Sequence, residues 1–98
     1  MWILQTSVPD PVELTFRLRS GSVKTVGRAR RADFVVDAAL VSRLHCRLTA
    51  GDEAVEVVDL SSTNGTFVND RRIEKATLAN GDRLRIGRVE MTVNRAQG

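Results

Sequence analysis

What most limits how this chain can fold is a strict alternation of apolar and polar residues in short runs, each closed by a turn signal. Leu14, Phe16 and Leu18 alternate with Thr15, Arg17 and Arg19, the period of a strand with one buried face. The same period returns in Leu44, Cys46 and Leu48 against His45, Arg47 and Thr49, and in Leu84 and Ile86 against Arg83 and Arg85. It closes the chain in Val89, Met91 and Val93 against Glu90, Thr92 and Asn94. Shorter runs at 34–36, 55–58 and 67–68 are rich in β-branched and aromatic residues, which suit strands. Between these runs lie Ser20-Gly21, Ala50-Gly51-Asp52, Asn64-Gly65, Asn69-Asp70, Asn80-Gly81 and Gly87-Arg88, all turn-forming chemistry. Pro9 and Pro11 separate a first short strand from the second. No window holds a helical period. Many short strands with a turn every eight to twelve residues or so predict an all-β sandwich or barrel.

A chain of 98 residues suits one domain, read here as 1–98 with its core in 13–94. So small a domain has little room for a deep internal active site, which places function on surface loops. The chain carries fifteen Lys and Arg against twelve Asp and Glu, and only Lys24 and Lys75 are lysines. Arginine offers a planar fork that matches phosphate or carboxylate; the plainer reading of the same bias is an arginine-rich solvated surface. Cys46 is the only cysteine and His45 the only histidine, so an internal disulfide is excluded and a thiolate or imidazole metal cluster is not expected, nor any cofactor. Met1-Trp2-Ile3-Leu4-Gln5 lacks the pattern of a signal peptide. No apolar stretch approaches the roughly 18 residues of a membrane span. A cytoplasmic setting without membrane attachment is the expectation. Arg95-Ala96-Gln97-Gly98 read as a frayed end, and the chain as either a whole protein or an N-terminal module of a larger one.

Three clusters contribute little to a core and lie at strand-to-loop transitions, which gather at the ends of a sandwich. They are Val26-Gly27-Arg28, Ser42-Arg43-Leu44-His45, and the run from Asp59 to Asn69 that contains Ser61-Ser62-Thr63-Asn64-Gly65-Thr66. Singly, each has an ordinary reading. Gly-Arg after a strand is a turn with a solvated charge, Ser and His three apart are a loop cap and a satisfied histidine, and Ser-Thr-Asn-Gly is local turn chemistry. Their order and spacing together are less ordinary.

In that order the chain closely resembles the forkhead-associated (FHA) family: Gly-Arg after an early strand, Ser-x-x-His, Ser-x-Asn-Gly-Thr, and a closing Gly-Asp-x-apolar-x-apolar-Gly, here Gly81-Asp82-Arg83-Leu84-Arg85-Ile86-Gly87. The resemblance runs directly from Val26 to Val93. It implies an eleven-stranded, antiparallel-rich β-sandwich of the SMAD/FHA-like type. Loops at one end of such a sandwich bind phosphothreonine peptides made by a Ser/Thr kinase, and no catalysis is implied. Carried over by position, Arg28 pairs with the phosphate, Ser42 donates a hydroxyl to it, and Arg43 contacts phosphate or peptide backbone. Thr63 adds a further donor, and Asn64 bonds the peptide main chain. His45 ties the binding loops together, Gly27 gives Arg28 its backbone freedom, and Gly65, Thr66 and Asn69 support the third loop. Asn69-Asp70 departs from the family's frequent Asn-Gly, a small change because Asp also tolerates that turn. Leu40 and Val41, just before Ser42, either face the residues after the phosphothreonine, where they suit an aliphatic neighbour, or pack inward. The isolated domain is expected to be monomeric.

Two rival readings remain open from the sequence. Ser42 and His45, with Asp37 or Asp59, invite a hydrolase reading, but the chain has no nucleophile elbow, P-loop or dinucleotide fingerprint. Six basic and no acidic residues between Arg17 and Arg31 suit a nucleic-acid backbone or a partner bound without phosphate dependence. Against nucleic acid, stacking aromatics are few: Trp2, Phe16, Phe34 and Phe67, with the phenylalanines at core-like positions.

Overall fold

The computed structural model describes residues 1–9 and 12–96; the expected Pro11 break and the Gln97-Gly98 end lie outside these. Eleven strands follow one another: β1 (Trp2–Thr6), β2 (Thr15–Leu18), β3 (Val23–Gly27), β4 (Phe34–Val35), β5 (Cys46–Ala50), β6 (Val55–Asp59), β7 (Thr66–Val68), β8 (Arg71–Ile73), β9 (Lys75–Leu78), β10 (Arg83–Ile86) and β11 (Val89–Arg95). Among the described residues no helix is long and apolar enough to cross a membrane.

The strands form two sheets, one ordered β2-β1-β11-β10-β7-β8 and the other β4-β3-β5-β6-β9. Pairing is antiparallel except between β3 and the two-residue β4. The inner faces supply the core. Leu4, Leu84, Ile86, Met91 and Val93 come from one sheet and Val26, Cys46, Leu48, Val55, Val57 and Leu78 from the other, each placed by the period of two. Phe16 and Phe34 stack with centroids 4.4 Å apart, joining the edge strands β2 and β4 and closing that side of the sandwich. On the opposite side the edges β8 and β9 are consecutive, so the chain crosses between sheets at Glu74.

Three residues depart from the alternation. His45 lies just before β5 and is wholly buried, so that strand's inward face begins at Cys46. Phe67 points outward, because Thr66 and Val68 on either side of it are the buried positions of β7; its core-like reading was an error of phase. Arg95 is not frayed: it ends β11, and the Ala96 amide donates to the Met1 carbonyl at 2.8 Å.

The ends of β3, β6 and β10 and the starts of β5 and β7 fall together. Val26 pairs with Cys46, Cys46 with Asp59, and Ile86 with Thr66. The segments 28–33, 36–45 and 60–65 therefore emerge at one end of the sandwich, where the singled-out clusters meet.

Candidate functional site

At the centre of this end sits the His45 ring. Its Nδ1 accepts the Ser42 backbone N–H at 3.0 Å, and its Nε2 lies 2.8 Å from the Gly65 carbonyl oxygen. An Nδ1 that accepts a hydrogen bond carries no proton, so Nε2 holds it and donates to Gly65. The Leu60 amide adds a bond to the His45 carbonyl at 2.9 Å. One buried ring thus ties the 36–45 segment to the 60–65 segment, the tethering role expected of it.

The polar groups named from the sequence surround that tie. Arg28 is exposed, and its Nε donates to the Val41 carbonyl at 3.1 Å, which fixes the guanidinium against the loop while its terminal N–H groups make no hydrogen bond among the described residues. Ser42 Oγ accepts the Thr63 amide at 3.0 Å, so its own O–H remains a donor. Asn64 donates its side-chain amide to the Leu40 carbonyl at 3.1 Å. That carbonyl belongs to a leucine with φ of 70°, a left-handed conformation that costs a β-carbon residue on the order of 1–3 kcal/mol and is held by its surroundings. Arg43 is exposed and without an ion pair among the described residues. Guanidinium, hydroxyl and amide donors therefore converge from three segments on one shallow surface.

The third segment is braced by a carboxylate whose role was not legible beforehand. Asp59 Oδ1 accepts the Ser62 hydroxyl at 2.5 Å and the Thr66 hydroxyl at 2.7 Å, and Oδ2 accepts the Ser62 amide at 3.1 Å. Ser62 Oγ in turn accepts the Gly65 amide at 3.0 Å. The only sequence signal was an Asp three residues before a Ser at a strand end. Burial pushes the Asp59 carboxyl up, but the bonds from Ser62 and Thr66 outweigh it and hold it below the usual carboxylate range. A lowered folded value means stability that is present above the unfolded value of about 3.9 and lost as pH falls through the folded one. Asp59→Asn is therefore expected to cost about 1–2 kcal/mol at neutral pH, with the difference from wild type shrinking as pH falls below about 4, towards the lowered folded value. Urea unfolding across that range checks this, and a pH-independent difference contradicts it.

Three expectations are changed or decided by the structure. Val41 is buried, 3% exposed, with a methyl against Gly87; it packs inward and does not face a peptide, whereas its neighbour Leu40 is 48% exposed. Asn69 does not support the third loop. It lies at the far end of β7, where its Oδ1 accepts the Arg83 amide at 2.9 Å and fastens the β7–β8 turn to β10. That turn has φ of 49° at Asn69 and 69° at Asp70, so Asp70 takes the left-handed role usually given to glycine. Thr66, by contrast, does brace the loop, through Asp59. Gly27 is needed for a different reason from the one expected. Its φ is not in the left-handed region, but a β-carbon there would lie 2.1 Å from the Arg43 carbonyl oxygen. At Gly65 the expected reason holds: φ is 90°, and the nearest neighbour, the flexible Arg72 side chain, could move aside for a β-carbon.

The geometry also disposes of a Ser-His couple. His45 Nδ1 meets the backbone of Ser42, not its hydroxyl; Asp59 is spent on Ser62 and Thr66. The Cys46 thiol beside them is held protonated, since burial and then the Asp59 charge push its pKa up to about 12.

Comparison with known proteins points one way. The FHA domain profile matches residues 24–87. The ABC transporter ATP-binding/permease protein Rv1747 of Mycobacterium tuberculosis is 40% identical over 81 residues, 83% of this chain but 9% of that protein. Glycogen accumulation regulator GarA of Mycobacterium tuberculosis is 36% identical over 70 residues, 71% of this chain and 43% of GarA. The chain thus spans less than half the length of either relative. An FHA domain solved for structural and functional analysis of phosphothreonine-dependent interactions superposes with a TM-score of 0.86 at 33% identity, covering 99% of this chain and 98% of that one.

Proposed function

The chain belongs to the FHA domain family, and from that membership we propose that it binds phosphothreonine-containing segments of partner proteins, products of a Ser/Thr kinase, through the loops joined by His45. The observation that carries this reading is the convergence of Arg28, Ser42, Thr63 and Asn64 on one exposed surface, cross-linked by Ser42–Thr63 and Asn64–Leu40 hydrogen bonds. A phosphothreonine brings about −1.5 to −2 charges and three strong acceptor oxygens. Arg28 and Arg43 meet the charge, the Ser42 hydroxyl and the Thr63 hydroxyl or amide fill remaining lone pairs, and Asn64 bonds the peptide main chain. Because the loops are already fastened to one another, little ordering is required on binding.

The module is a binder, not a catalyst. His45, the one imidazole that a serine hydrolase would need, is buried with both nitrogens committed to backbone groups. Residues 1–98 act as one domain in the cytoplasm, recruiting a partner only after that partner has been phosphorylated.

Binding to an oriented phosphothreonine peptide library, with matched phosphoserine and unphosphorylated libraries, tests the reading. Phosphothreonine should be selected, over phosphoserine by roughly fourfold, the worth of about 0.8 kcal/mol for one buried γ-methyl. Ser42→Ala should weaken that binding about tenfold, the loss of one charge-assisted hydrogen bond. Equal retention of phosphorylated and unphosphorylated libraries by folded protein removes the proposal.

A further inference from the structure

Beside the site, one outward row of the six-stranded sheet has an unusual composition. Arg85 stands opposite Phe67 across β10 and β7, and Phe67 stands opposite Arg72 across β7 and β8. Phe67 faces away from the core, and its cover is an arginine: the Arg85 guanidinium carbon lies 4.2 Å from the ring centroid. Across its other edge Arg85 faces Glu90, yet it makes no ion pair with it among the described residues. A guanidinium lying on a ring keeps its in-plane N–H donors free for a carboxylate. Arg72, the other flank of Phe67, lies against Gly65, the residue after Asn64. The row is therefore continuous with the phosphate site. At its far end Arg83 is paired with Asp70 at 3.4 Å, which closes the strip. The site loops add Arg28, Arg30, Arg31 and Arg43, all exposed, against Asp33 and Asp37, and Asp33 is already held by the Thr25 amide and hydroxyl. Counting Glu90 as well, arginines outnumber carboxylates across this surface.

Resting on the phosphopeptide reading above, we propose that Arg72 and Arg85, on either side of Phe67, take acidic side chains of the same partner segment. The recognised substrate is then a phosphothreonine with a glutamate- or aspartate-rich stretch nearby. From Asn64 to the Arg85 position is roughly 10–12 Å, two or three residues along β7 and one strand spacing across, which an extended peptide covers in about three or four residues. Phe67 contributes by fixing the Arg85 fork in place and by packing against the methylene groups of the acidic side chains.

Three phosphothreonine peptides test this by fluorescence anisotropy at low salt. One has neutral flanks, one a glutamate run beginning about three residues before the phosphothreonine, and one the same run about three residues after it. The better acidic peptide should bind wild type about fivefold more tightly than the neutral one, the worth of two exposed ion pairs. Salt should erase that difference. In the Arg72→Gln, Arg85→Gln double variant all three peptides should bind alike, at the wild-type affinity for the neutral peptide. The single Arg85→Gln variant gives the same comparison at a smaller amplitude should the double variant melt early. The proposal is overturned if neither acidic peptide outbinds the neutral one in wild type, or if the preference survives in the double variant. A neutral phosphothreonine peptide that binds no better than its unphosphorylated form is a different failure, and removes the phosphopeptide reading beneath it.

Discussion

Replacing Arg28 with alanine is expected to weaken phosphothreonine-peptide binding about 10- to 150-fold, the equivalent of one charge-assisted interaction worth roughly 1.5–3 kcal/mol. The fold should remain intact. Arg28 is exposed, and among the described residues its side chain gives the structure only the Nε bond to the Val41 carbonyl, while the backbone bond from its amide to the Ser42 carbonyl survives the change. That same Nε bond makes the residue a poor candidate for lysine. It uses one face of the fork to orient the other, which a point-charge ammonium on a flexible stem does not reproduce. Arg28→Lys should therefore recover only part of the loss. Anisotropy with a labelled peptide, alongside thermal melts of all three proteins, separates lost binding from lost folding. Wild-type affinity in Arg28→Ala contradicts the assignment.

Gly27→Ala is expected to damage stability more than any surface change, by about 3 kcal/mol, or roughly 12–24 °C in Tm for a domain of this size. The added methyl would sit 2.1 Å from the Arg43 carbonyl oxygen and 2.9 Å from the Leu44 α-carbon. Both are backbone atoms, so no flexible side chain can swing aside. Relief requires pushing the 42–45 segment away from β3, which would stretch the bonds from the Arg28 and Ala29 amides to the Ser42 and Arg43 carbonyls and from the His45 amide to the Val26 carbonyl. Peptide affinity should fall with stability because those segments carry the site. Differential scanning fluorimetry checks it, and a drop of only a degree or two contradicts the close-packing account.

How much of this was legible in sequence depended on whether local pattern or tertiary contact sets the residue. The inward positions of β10 and β11, Leu84, Ile86, Val89, Met91 and Val93, follow alternation alone, and the Asn80-Gly81 turn between apolar runs marks the start of β10. The edge strands β8 and β9 did not show. β8 and β9 carry Arg71, Arg72 and Lys75, charges that suit a sheet edge but hide the strand period. The phase of β7 was misread because its inward partner at the loop is the hydroxyl of Thr66, bonded to Asp59, and not the larger Phe67. His45 broke the alternation before β5 for a similar reason: a polar residue is buried there by two bonds to backbone groups, one of them to the Gly65 carbonyl twenty residues away. Gly27 was recognised as important for the wrong cause, since only the fold brings the Arg43 carbonyl against it.

Amide chemical-shift mapping of the labelled domain against a single phosphothreonine peptide shows most directly whether one end of the sandwich receives the phosphothreonine. Shifts should concentrate at Arg28, Ser42, Arg43, Thr63 and Asn64, and be absent with the unphosphorylated peptide. Shifts that leave these residues unmoved, or that appear equally without the phosphate, would contradict phosphothreonine binding at that end.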